Sequence, residues 1–111
     1  MVDAALIQQC ADPGLKPAII EKFIATAGSA DPHAITVRAG GRVVLVPPPK
    51  SPDEALELVR RYVGQAVVRV GITQYPAGVG VTDTSQLTAD LVDPCKNIRM
   101  GTALFGRVYR I

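Results

Sequence analysis

Ser51-Pro52-Asp53-Glu54 constrains this chain more than any other stretch. Ser51 and Glu54 stand at the spacing of a capping box, and Pro52 takes the first helical position, so a helix begins here. Ala55, Leu56, Val59, Tyr62 and Val63 then recur at helical spacing until Gly64, with Asp53, Glu57, Arg60 and Arg61 on the opposite side. Ala66 to Thr73 follows at once. It is rich in Val and Ile, sets Val68, Val70 and Ile72 on one face, and reads as a central strand.

Upstream, Ala34 to Ala39 alternates in the manner of a strand, and Gly40-Gly41 leads into a second run, Arg42 to Val46. A two-residue hairpin turn pairs Val37 with Val44 and Ile35 with Val46 on one face, leaving Thr36, Arg38, Val43 and Leu45 on the other. Pro47-Pro48-Pro49 ends the second strand, because proline has no backbone donor for a ladder. Strand, helix and strand from Arg42 to Thr73 are expected to form a right-handed parallel crossover.

The remaining signals are helical. Asp3 caps a short helix running to about Ala11, which Asp12-Pro13-Gly14 stops. Pro17 opens a second helix, with Ile19, Ile20, Phe23, Ile24 and Ala27 on one face and Gly28 at its end. Beyond the strand, Tyr75 to Gly80 reads as a loop, Thr82 to Leu91 as a short helix, and Asp93 as the cap of a last helix entered at Pro94. The expectation is an α+β fold in one domain spanning residues 1–111. Its sheet has three or four strands of mixed direction, a hairpin and a βαβ-like unit, and is covered by helices.

Composition excludes several classes. The longest apolar stretches, Val43 to Val46 and Ala66 to Val70, are far below the roughly 20 residues of a membrane span. Met1 to Cys10 has neither the basic region nor the apolar run of an export signal. Cys10 and Cys95 lack the paired spacing of zinc or redox motifs, so free thiols in a reducing, cytoplasmic setting are expected. Acidic residues are scattered and no metal or cofactor motif is present; no cofactor is expected.

Charge is uneven along the chain. Cys95 to Ile111 carries Lys96, Arg99, Arg107 and Arg110 without an acid, although the whole chain is only +2. On a helix these cations fall within about 80° of arc, with Ile98, Leu104, Phe105, Val108 and Tyr109 on the other side. Such a face meets DNA phosphates or an acidic partner, or is simply solvated beneath a docked helix. Gly101 lies on the apolar side, where a missing side chain permits close approach. The helix is also expected to continue beyond Ile111, since Val108-Tyr109-Arg110-Ile111 has no polar tail.

Catalytic signals are sparse. His33 follows a turn and has no partner in sequence. Cys95, at a helix start, is the better of the two candidate nucleophiles, yet a structural cysteine fits the same position. Ala77-Gly78-Val79-Gly80 lacks the lysine and serine of a phosphate-binding loop and the third glycine of a dinucleotide fingerprint. Tyr75, Gly78 and Gly80 are therefore candidates for a ligand or partner contact only because they form a loop beside a strand. Val43 and Leu45, apolar on an outward sheet face, suit self-association into a homo-oligomer.

Three blocks carry a family resemblance: Met1-Val2-Asp3-Ala4-Ala5-Leu6-Ile7, Tyr62-Val63-Gly64-Gln65-Ala66-Val67-Val68-Arg69-Val70-Gly71 and Leu91-Val92-Asp93-Pro94-Cys95. Together they resemble the TraH family of conjugal transfer proteins of rhizobial-type plasmids. The resemblance implies a role in plasmid conjugation beside other transfer proteins, and transfers no catalytic residue. The residues thus support a non-enzymatic accessory that binds protein or DNA. The alternatives are a self-associating subunit of a transfer or secretion complex, and a small enzyme using Cys95 or the Tyr75 to Gly80 loop.

Overall fold

The computed structural model describes residues 4–78 and 81–109. In chain order the elements are α1 (Ala4–Cys10), α2 (Pro17–Ala27), β1 (Ile35–Ala39), β2 (Arg42–Val44), α3 (Pro52–Tyr62), β3 (Val67–Val70), β4 (Tyr75–Pro76) and α4 (Pro94–Tyr109). The α+β class is as the residues imply. Asp3, expected to cap α1, lies outside the described residues.

Gly40 and Gly41 have φ of 58° and 79°, the left-handed pair that a two-residue hairpin turn demands. The hairpin register is the expected one, with Val37 opposite Val44. Ile35 and Val46 do not extend it, because β2 ends at Val44 ahead of the three prolines. Val37 is fully buried, whereas Val43 and Leu45 on the other face are 54% and 93% exposed.

The expected mixed sheet and parallel crossover are corrected. Among the described residues the sheet has four strands in the order β2-β1-β3-β4, and every neighbouring pair is antiparallel. β2 and β3 run in the same direction but β1 lies between them, so the strand–helix–strand unit is split. The short, proline-terminated β2 offers little ladder, while the longer β1 pairs with β3 from Ile35–Val70 to Arg38–Val67. The stretch expected to be a loop also supplies a strand: Val70 faces Tyr75 and Arg69 faces Pro76.

α3 begins as its sequence requires. Glu54 N–H donates to Ser51 Oγ at 3.2 Å, although the Glu54 carboxylate accepts from Lys50 N–H at 2.7 Å rather than from Ser51. Ala55, Leu56 and Val59 pack on the inner sheet face with Val37, Val68 and Val70. The helix expected from Thr82 to Leu91 is two 3₁₀ turns, Thr84–Gln86 and Ala89–Leu91. Asp83 and Gln86 cap each other's ends reciprocally, which closes the first turn before a helix propagates.

A second core joins α1, α2 and α4 through Ile7, Cys10, Leu15, Ile20, Ile24, Ile72 and Ile98. Gly101 sits where α4 crosses the turn after β3, and a Cβ there would collide with Thr73 Oγ1. Close approach at this glycine is as the sequence suggests. Alanine is favoured over glycine by about 1 kcal/mol in a helix, but overpacking a buried contact costs about 1–3 kcal/mol. Gly101→Ala is therefore expected to lower stability by about 1–2 kcal/mol, measured by urea unfolding at unchanged m-value. A stabilised variant would show that Thr73 moves aside freely.

Candidate functional site

The Asp93 carboxylate caps α4 as expected, accepting from Lys96 N–H at 2.9 Å. One turn on, Asn97 is 1% exposed and uses all its side-chain groups. Its Oδ1 accepts from Thr73 N–H and from Thr73 Oγ1, both at 2.9 Å. Its Nδ2 donates to Val70 O at 3.0 Å and to Leu91 O at 2.8 Å. Thr102, also buried, donates to Ile98 O at 2.6 Å and accepts from Asp12 N–H at 2.8 Å. Gln74 links Thr36, Ala34 and Gly71 in the same way. These buried polar groups are saturated within the protein: Asn97 and Gln74 brace the turn between β3 and β4, and Thr102 ties α4 to the segment after α1.

With Ile98, Gly101 and Thr102 buried, α4 turns Lys96, Arg99 and Arg107 to solvent on its opposite side. Arg110 lies outside the described residues. Lys96 Nζ is 3.1 Å from Asp90 Oδ1 with both side chains more than half exposed, an ion pair of the weak, solvent-screened kind. Arg99 approaches the Cys95 sulfur at 3.9 Å. Val108, expected on the docked side, is 68% exposed and forms the rim of a pocket instead.

The free-thiol expectation is corrected: Cys10 and Cys95 form a disulfide that ties α1 to the start of α4. Their Cα atoms are 5.1 Å apart across 85 positions of sequence. A bonded sulfur is no nucleophile, so the structure removes Cys95 as a catalytic candidate. His33 donates its backbone N–H to Asp31 Oδ1 at 2.9 Å, a turn contact. Among the described residues no group of histidine, cysteine or acidic side chains is placed to hold a metal, and no described helix is long and apolar enough to cross a membrane.

The candidate loop residues separate. Tyr75 belongs to β4 and lines a pocket of about 200 Å³ with Phe23, Leu104, Phe105 and Val108. The Phe23 and Phe105 rings stack with centroids 4.3 Å apart. Gly78 is exposed and does not line that pocket, and Gly80 lies outside the described residues. Arg69 also borders the pocket. Sequence reasoning assigned it no role, although its place in the alternation of β3, opposite the buried Val68 and Val70, was a signal that it faces outward.

Fold and surfaces together define a small α+β protein whose features are cationic and apolar surfaces over a saturated polar brace. The chain belongs to the TraH family, whose TraH_2 model matches residues 1–111. It is also similar to a protein of Sinorhizobium fredii described as uncharacterized protein y4dP, with 60% identity over the whole of this chain and 56% of that protein. The chain thus spans about half the length of that curated relative. No solved structure matches.

Proposed function

We propose that the chain is a non-enzymatic accessory of plasmid conjugal transfer that binds DNA through the solvent face of α4. The observation that supports this reading is the common exposure of Lys96, Arg99 and Arg107 on the side of the helix opposite its docked face. Arg110 extends the same row in sequence. Contacts of this kind meet phosphates and leave bases unread, so binding is nonspecific in sequence. Other transfer proteins are the natural partners of such an accessory. The expected cytoplasmic location rested partly on free thiols, and the disulfide withdraws that support.

DNA affinity is expected to fall with salt at a slope of about −3 on logarithmic axes for three or four phosphate contacts. Changing Lys96, Arg99, Arg107 and Arg110 together to Gln should abolish both affinity and slope. Fluorescence anisotropy with labelled single- and double-stranded oligomers measures this. Absence of binding at low salt would refute the reading. Exposure of Val43 and Leu45 favours a second reading, self-association.

A further inference from the structure

The sheet face turned away from α3 carries features that DNA binding by α4 does not use. Across the strands Val43, Arg38 and Val67 share one row, and Thr36, Arg69 and Pro76 the next. Val67, like Val43, is 54% exposed. Thr36, Arg38, Val67 and Arg69, with Ala27 and Gln74, bound an open hollow of about 470 Å³. Arg69 also borders the pocket of about 200 Å³ between α2, β4 and α4, so hollow and pocket adjoin at this residue. Among the described residues neither is lined by a carboxylate.

We propose that this continuous surface docks an acidic, partly apolar segment of another protein, with one apolar side chain in the pocket and carboxylates on Arg69 and Arg38. The pocket is smaller than the roughly 300–1,000 Å³ of small-molecule sites, and suits a single anchoring side chain. Arg38 and Arg69 are diagonal neighbours on adjacent strands, about 7–8 Å apart at the backbone. Alternate residues of an extended chain are spaced by roughly 6.6 Å, so carboxylates two positions apart reach both guanidinia. A second copy of this chain, laid face to face, would set these arginines against their own kind without a balancing acid. Nucleic acid would meet the arginines but leave Val43 and Val67 against a polar backbone. Charge and apolar exposure together therefore select an acidic peptide.

The probe is a short fluorescein-labelled peptide alternating Leu and Glu, compared with a Leu and Lys peptide and a single-stranded DNA oligomer, all by anisotropy. Saturable binding of the acidic peptide alone is expected. Affinity should fall at least about tenfold when Arg38→Gln and Arg69→Gln are combined, and similarly with Val108→Asp at the pocket rim. All three positions are exposed, so the variants keep the fold, which thermal melting verifies. The α4 variant should bind the peptide unchanged, so failure of DNA binding leaves this surface standing. The proposal is overturned if the acidic peptide does not bind, or binds the double variant equally well. It is also overturned if the double variant loses DNA instead, or if sedimentation reveals a dimer that Val43→Ser with Val67→Ser dissociates.

Discussion

Asn97→Ala is expected to destabilise the protein by about 3–5 kcal/mol, a large share of the roughly 5–15 kcal/mol available to a domain. The loss has an identifiable origin. Asn97 accepts from Thr73 N–H and supplies donors to Val70 O and Leu91 O, all from a fully enclosed position. Truncation strands these groups without solvent, and each buried unsatisfied group costs about 1–3 kcal/mol, with incomplete additivity. The same change opens a void between α4 and the turn after β3. Urea unfolding should show the midpoint falling sharply, and hydrogen exchange should locate the first loss of protection at Thr73 and its neighbours. A cost below about 1 kcal/mol would mean that water or a shift of α4 replaces the amide.

Breaking the Cys10–Cys95 bond is the second large effect. The disulfide closes a loop of 85 positions, for which the chain-entropy relation gives about 4–5 kcal/mol and typical experience about 2–4 kcal/mol. At about 4–8 °C per kcal/mol for a domain near this size, the double change Cys10→Ser with Cys95→Ser should lower Tm by about 8–30 °C. The loss is expected to begin locally. α1 has only seven residues, too few to hold a helix alone, and its buried side chains are Ile7 and Cys10. Without the bond, α1 should become a site of early proteolysis while the sheet and α3 persist. Scanning calorimetry with and without reductant measures the shift. An unchanged Tm after verified reduction would show that packing of Ile7 against Ile20 and Ile98 already holds α1.

Much of the fold was legible because its signals are local. Ser51 and Asp93 are caps that act within one helical turn, Gly40-Gly41 dictates a turn through its own φ angles, and Val37 opposite Val44 follows from that turn. Gly101 was readable as a place of close approach, though not what would approach. The α4 cations were legible as a row, because helical spacing alone places Lys96, Arg99 and Arg107 together. The pocket beside Tyr75 was not, since Phe23 and Phe105 come from helices far apart in sequence.

The sequence by itself determined the four α-helices and strands β1 to β3, where most of them start and stop, and which of their faces are apolar, but not β4 or the 3₁₀ turns. Those choices are settled by backbone preferences and side chains within a few residues. Only the tertiary structure decided that β1 separates β2 from β3, that Cys10 meets Cys95, that Asn97 braces the β3–β4 turn, and that Arg38 and Arg69 share one open face. Each of these depends on contacts between distant segments, whose pairing is selected by burial of the whole core and the loop entropy spent to reach it, rather than by any neighbour in the chain.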